Sequence, residues 1–320
     1  MLLFTVLAGL GIAYLAWSPG ERVTDGRHDR RSNAIWIQHG WLGDDTWFAR
    51  NHRDKSLFRD DKKIQPLAET FAQHGIKYVY PHLCPCNLQG AIPRVDDEQT
   101  ECFLRHFGEF RVLPWVGGTL DVCALESSAW RDAFISSINE LLKIHPGFSG
   151  IHLNIEPLPS GDANFLRLLD EIRAAMPAGK ILSVAAYPPP TRWQPSTDVH
   201  WDAAYFRQVA ARTDQMAVMM YDTGIRLEKP YRRLMREWTV KTLEWAGETE
   251  VLLGVPAYDN AGVGYHVPRV ENLRNALFGI HAGLLSFKEP PQNYVGVAVY
   301  CEWQMDNSKW IALETEFEQH

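Results

Sequence analysis

One short segment carries the group best suited to chemistry. Residues 150 to 157 read GIHLNIEP, with His152, Asn154 and Glu156 separated by apolar Ile151, Leu153 and Ile155. Side chains of an extended strand alternate between faces, so the three polar residues share one face. Glu156 stands at the tip, before Pro157. A buried row of polar groups is costly unless each is hydrogen-bonded. One reading is a satisfied polar layer in a protein core. The other is a carboxyl group in a desolvated site, its pKa raised toward the range of a general acid. The place of Glu156 at the strand end favours the second.

The elements that must hold Glu156 repeat along the chain. Short apolar runs occupy 34–42, 76–84, 111–118, 150–157, 180–188, 215–222, 250–258 and 294–303, each bounded by turn residues. That is the pattern of strands buried on both faces. Amphipathic segments lie between them; 130–144, for instance, carries Phe134, Ile138, Leu141 and Leu142 near helical spacing. Segments 164–176, 270–284 and 308–320 behave alike. Eight strand-then-helix units predict an α/β fold, a closed (β/α)8 TIM barrel over 34–320. An open doubly wound sheet would call for a Gly-rich phosphate loop after the first strand, and the sequence has none there. The longest connection, 85–110, follows the second strand and holds Cys86 and Cys102.

Barrels of this kind place their sites at the C-terminal strand ends. The candidates there are His39, Trp41, His82, Trp115, Glu156, Tyr187, Tyr221, Asp222, Tyr258, Asp259, Tyr300, Glu302 and Trp303. Many rings and few carboxylates suit a sugar cleft better than a metal or phosphate site. The 12 tryptophans among 320 residues fit that reading, since a flat ring covers the apolar face of a pyranose. The net charge of -7, with no basic block beyond the N-terminal segment, argues against a nucleic-acid partner. No cofactor is called for. A metal cluster around Cys84, Cys86 and His82 would match no common zinc spacing, so no metal is expected.

Five cysteines, Cys84, Cys86, Cys102, Cys123 and Cys301, cannot all pair within one chain. One or two disulfides among the first four are expected if the protein is exported, and buried free thiols are the alternative. Residues 1–17 are apolar from Leu2 to Trp17, which predicts a signal peptide or membrane anchor, followed by a polar linker over 18–33. The expected location is outside the cytoplasm. Arg22, Arg27, Arg30 and Arg31 speak against that orientation under the positive-inside rule.

Several segments resemble glycoside hydrolase family 18, the chitinase-like family. VLPWVGG is similar to its third-strand S-x-G-G motif, with Trp115 at the serine place and Gly117 and Gly118 matching. QMAVMMYD resembles the sixth-strand M-x-Y-D through Met219, Tyr221 and Asp222. GVPAY and GVAVYCEW resemble the seventh and eighth strands, with Tyr300 where the family usually has a tryptophan. The likeness runs over 110–303; the first two strands match poorly. FISSINELLKIHPGFSGIHLNIEP resembles the approach to D-x-x-D-x-D-x-E, but Ser149, His152 and Asn154 stand at the aspartate places and only Glu156 remains. LNIE is similar to the Asn-x-Glu pair of glycoside hydrolase family 85.

The resemblance implies hydrolysis of β-linked N-acetylhexosamine glycans by the substrate's own acetamide, one of the exceptions to two-carboxylate hydrolysis. It implies Glu156 as general acid/base, Asn154 orienting the 2-acetamido group and Tyr221 bonding its carbonyl. It further implies Asp222, Trp115, Tyr300 and Trp303 as sugar-contacting residues, and the strand-end and strand-face positions add Glu302, Tyr258, Tyr187, His152 and Trp41 as substrate-binding candidates. His152, below Asn154, would fix the direction of its amide, and Trp47 would extend the surface. The partner is then an N-acetylhexosamine oligosaccharide or polysaccharide, met by a monomer. Two other readings stay open: a chitinase-like lectin without activity, and a retaining glycosidase with Asp222 or Glu302 as nucleophile.

Overall fold

The structure, a computed structural model, describes residues 11, 13–260 and 265–318, without the side chain of Leu57. Nine strand segments run parallel in one sheet. They make eight strands: β1 (Asn33–Ile37), β2 (Ile76–Pro81), β3 in two parts (Arg111–Val112 and Trp115–Thr119), β4 (Gly150–Glu156), β5 (Ile181–Ala186), β6 (Gln215–Val218), β7 (Glu250–Pro256) and β8 (Tyr294–Tyr300). The helices are α1 (Asp45–Arg50), α2 (Asp61–Gln73), α3 (Asp97–His106), α4 (Ser128–Ile144), α5 (Ala163–Ala175), α6 (Ala203–Ala210), α7 (Glu228–Trp245), α8 (Leu273–Leu284) and α9 (Asn307–Phe317).

The two parts of β3 stand at opposite ends of the sheet order. Arg111 and Val112 pair with β2, and Trp115–Thr119 pairs with β4. Pro114, which has no N–H, interrupts the ladder between them. Leu83 N donates to Trp115 O (2.8 Å), Cys86 N donates to Gly117 O (2.8 Å), and His82 bridges to Trp115. The sheet therefore closes on itself as the expected barrel.

Alternation along each strand separates two apolar layers. Ile35, Ile37, Ile151, Leu153 and Ile155 join the large outer core beneath the helices. Ala34, Trp36, Tyr78, Tyr80, Leu113, Trp115, Ala217, Leu252 and Ala298 fill the cylinder. An eight-stranded barrel is just wide enough for its own side chains, so the alanines leave room for the rings. Helices after the strands start on side-chain caps, among them Ser127, Asp162, Asp202 and Asn272.

A hydrogen-bonded polar column also runs through the cylinder. Trp36 Nε1 donates to His152 Nε2 (3.0 Å), which leaves the imidazole proton on Nδ1, 2.9 Å from Ser183 Oγ. Ser183 and Tyr80 donate to Gln215 Oε1 (2.9 and 2.6 Å), and Gln215 Nε2 and Tyr78 donate to Glu250 (3.2 and 2.9 Å). Burial holds His152 neutral, its pKa pushed down to about 3. Each side chain of this column is thus hydrogen-bonded to the next.

Several expectations change. The 85–110 connection is not all loop, because α3 lies in it and carries Cys102. All five cysteines are free thiols. Cys86 Sγ and Cys123 Sγ lie 3.7 Å apart, and Cys84 donates to Trp115 O. Residues 18–33 are not a loose tether. Arg22 pairs with Glu316 (2.6 Å), Tyr294 donates to His28 O, and His28 is buried against His281. Most of the expected signal or anchor, 1–17, lies outside the described residues. Among the described residues no helix is long and apolar enough to cross a membrane.

Gly117 ties fold to site. Its φ is +125°, and a Cβ there would lie 2.0 Å from the Asn154 carbonyl oxygen. Gly179, at φ +81°, has nothing near. Gly179→Ala should lose about 1–2 kcal/mol of stability from backbone strain alone. Gly117→Ala should lose clearly more, because strands β3 and β4 must separate. Urea denaturation of both variants measures this, and equal losses would contradict it.

Candidate active site

A cavity of about 1210 Å³ opens at the N-terminal end of the barrel between Lys77, Arg111, Lys180, Asp214 and Glu250. It lies opposite the end where barrels of this fold do chemistry. The site is therefore built at the C-terminal end, from Glu156 outward.

Glu156 is the last residue of β4. Asn154 Nδ2 donates to its Oε1 (2.6 Å), and the Tyr187 hydroxyl lies 3.5 Å from its Oε2. With Oε1 accepting, and any proton of the carboxyl on Oε2, this contact points the Asn154 amide nitrogen at Glu156. Asn154 Oδ1 then points the other way, and it has no partner among the described residues although Asn154 is 7% exposed. Burial raises the pKa of Glu156, and the nearby Asp222 charge adds to the rise. The bonds from Asn154 and Tyr187 oppose it. The result is a carboxyl of raised pKa beside a buried acceptor oxygen that has no partner among the described residues.

Around this pair the strand ends bring rings together. Tyr300 is the hub: Tyr221 stacks on it at 5.2 Å, while Tyr258, Trp303 and Trp115 meet it edge-on at 5.4, 5.7 and 6.3 Å. A second row leads away along β3, β2 and β1. Trp115, His82, His39 and Trp47 follow one another at 4.0, 3.7 and 4.2 Å, and Arg53 sits over Trp47. A cavity of about 610 Å³ lies alongside, lined by Asp44, Trp47, Arg50, Cys84, Leu88 and Val122.

Asp222 has φ +60°, in the left-handed region that non-glycine residues rarely adopt. It is held there from both sides. The Tyr258 hydroxyl donates to its Oδ1. The next two backbone N–H groups, of Thr223 and Gly224, donate to the fully buried Glu271 (3.0 and 3.1 Å). His266 stacks on Tyr258 and donates from Nε2 to its carbonyl (2.9 Å). Its Nδ1 lies 3.7 Å from both Asp222 and Glu271. Burial raises the pKa of Asp222, and the Tyr258 bond opposes that.

The structure thus gathers Asn154, Glu156, Tyr187, Tyr221, Asp222, Tyr258, Tyr300, Trp303 and Trp115. Three expected residues stand elsewhere. His152 is fully buried one layer below, with both ring nitrogens bonded to Trp36 and Ser183, so it does not orient Asn154. Trp41 packs in the outer core on Phe58 and Phe103, leaving Trp47 as the partly exposed ring. Asp259 is drawn to Lys309 (2.5 Å). His266 and Glu271 were missed. They lie in an aperiodic stretch, 258–271, where no spacing signals that both return to Asp222.

The fold is that of chitinase-like barrels. A chitinase from Chromobacterium violaceum ATCC 12472 superposes with a TM-score of 0.61 at 14% identity, over 90% of this chain and 99% of that one. The spore cortex-lytic enzyme SleL of Bacillus megaterium QM B1551 gives 0.60 at 12% identity, over 95% and 76%. A fungal endo-beta-N-acetylglucosaminidase from glycosyl hydrolase family 18 gives 0.53 at 12%, over 89% and 96%. No protein-family model and no curated protein matches the sequence.

Glu302 follows β8, with its Oε2 buried and unpaired among the described residues. Burial pushes its pKa up to about 7, against the pull of the Gln38 backbone. A carboxyl raised in the folded state favours the protonated protein. Its contribution is present in full below the unfolded pKa, near 4.5, and is lost as pH rises through about 7. Stability should therefore fall by on the order of 2–3 kcal/mol between those limits. Glu302→Gln should flatten that slope in denaturant titrations run from pH 4.5 to 8. An unchanged slope would show that Glu302 is not its source.

Proposed function

We propose that this protein is a glycoside hydrolase acting on β-linked N-acetylhexosamine glycans through the substrate's own acetamide group. The observation that carries the proposal is the Asn154–Glu156 pair. Glu156 is the carboxyl placed to protonate the leaving oxygen, and burial raises its pKa toward that role. Asn154 spends its N–H on Glu156 and leaves a buried Oδ1 unpaired, the acceptor that an acetamide N–H requires. With the N–H held, the acetamide carbonyl oxygen attacks the anomeric carbon and the glycosidic bond breaks. Glu156 passes its proton to the departing oxygen. In the second half, Glu156 takes a proton from water, which opens the oxazoline and returns the same anomeric configuration. The chain then needs only one acid, and that role falls to Glu156.

The remaining residues take supporting roles. The Tyr221 hydroxyl bonds the acetamide carbonyl. Tyr300, Trp115 and Trp303 form the floor under the sugar. Asp222 bonds the sugar, and its charge favours the protonated form of Glu156. The row His82, His39 and Trp47 extends the surface toward further sugars. The chitinase and endo-beta-N-acetylglucosaminidase barrels that share the fold support this substrate class. The Asn-x-Glu arrangement is the one that resembles family 85. The apolar 1–17 segment, and the cortex-lytic neighbours, support a place outside the cytoplasm, with 1–17 as signal or anchor and 34–320 as one catalytic barrel.

The test uses an N-acetylglucosamine oligosaccharide whose leaving group is an ordinary sugar. Glu156→Gln should lower kcat/KM by roughly 10²- to 10⁴-fold, the range of a general acid. Wild-type activity should fall as pH rises through the raised Glu156 pKa, because the proton is lost. Asn154→Ala should lower kcat more than it raises KM, and a thiazoline analogue of the oxazoline should inhibit strongly. Full inertness to the thiazoline with retained turnover would favour a protein nucleophile such as Asp222. Glycan binding without turnover in wild type would make the protein a lectin.

A further inference from the structure

We infer that Asp61, Cys102 and His106 form a zinc-type divalent metal site that pins α2 to α3. Cys102 and His106 are four residues apart on α3, so their side chains rise from the same face one turn apart. Asp61 opens α2, which packs alongside. Cys102 Sγ is 2.6 Å from Asp61 Oδ1, His106 Nε2 is 3.9 Å from the same oxygen, and the three ligand atoms all lie within 4.8 Å of one another. One sulfur, one imidazole nitrogen and one carboxylate oxygen make a donor set suited to tetrahedral zinc.

The geometry is that of a site with a proton where the metal would be. Bond lengths of about 2.0–2.3 Å place tetrahedral ligand atoms about 3.4–3.6 Å apart. The sulfur–oxygen contact, in which the thiol faces the carboxylate, is shorter than that. The nitrogen–oxygen distance is slightly longer. When the metal binds, the Cys102 thiol releases its proton to solvent, the S–H···O contact opens and the imidazole closes in. The Asp61 carboxylate, with Glu98 on the helix of Cys102 adding to it and Arg105 offsetting it, makes a negative surrounding that attracts a cation. Asp61 is well exposed, which leaves the fourth position to water. The pair of helices matters to the wall of the cleft, since Gln99 and Thr100 of α3 hold the backbone carbonyls of Trp41, Leu42 and Phe58. The role is structural and independent of the glycosidase reading.

The experiment treats the full chain with a chelator, removes it, and titrates with Zn²⁺ by calorimetry and Co²⁺ by absorption. One equivalent should bind. Cobalt should give a thiolate charge-transfer band, thermal stability should rise, and affinity should fall as pH drops because a proton must leave. His106→Ala and Asp61→Asn should weaken binding by ~10–100-fold or more, the scale set by lesser, outer-shell losses. Cys102→Ser should abolish the band while leaving the metal-free melting temperature near wild type, which separates ligand loss from misfolding. No thiolate band in the wild type, or a full band in Cys102→Ser, overturns the proposal.

Discussion

The hydrogen bond from Asn154 Nδ2 to Glu156 Oε1 is the contact around which the top of the barrel is arranged. It consumes the donor side of one amide and so exposes its acceptor side. It also keeps a buried carboxyl from standing without partners. For this contact to form, β4 must present both residues inward, and β3 must come close enough to leave no room for a side chain at Gly117. The interior below must then accept a further inward polar residue, His152. The column from Trp36 to Glu250 meets that need with every donor directed at an acceptor.

Electrostatics at the strand ends follow from the same crowding. Three carboxyls, Glu156, Asp222 and Glu302, sit where rings have displaced water, and burial raises the pKa of each. Their partners differ. Glu156 is bonded by an amide, Asp222 by a phenol, and Glu302 by little more than a backbone group. Only Glu156 has an unpaired acceptor beside it on its own strand. That asymmetry, more than the number of acids, distinguishes the candidate catalytic group from its neighbours.

Strand positions and the polar face of β4 were legible in the sequence because period-two alternation and turn residues report directly on a strand buried on both sides. The eight runs correspond to the eight strands, with ends trimmed where Gly40 and the aromatic tips turn away. What did not read out was anything set by return of a distant segment. The bonds of His152 come from β1 and β5, so its neighbours along β4 gave no sign that it turns from Asn154 to Trp36 and Ser183. Likewise His266 and Glu271 reach Asp222 from an aperiodic stretch. The thiols illustrate a third case: spacing showed Cys84, Cys86 and Cys102 close in sequence, yet α3 carries Cys102 off to Asp61.

Trp115 holds two offices at once. Its ring lies in the aromatic floor, between His82 and Tyr300. Its carbonyl receives Leu83 and Cys84, at the seam where the interrupted third strand fastens the sheet into a cylinder. The barrel is in this sense buckled at the very residue that would touch a sugar. Reshaping the floor at this position would also tug on the buckle. New ligand preferences would then be easier to gain at Tyr300 or Trp303, which lie away from the seam.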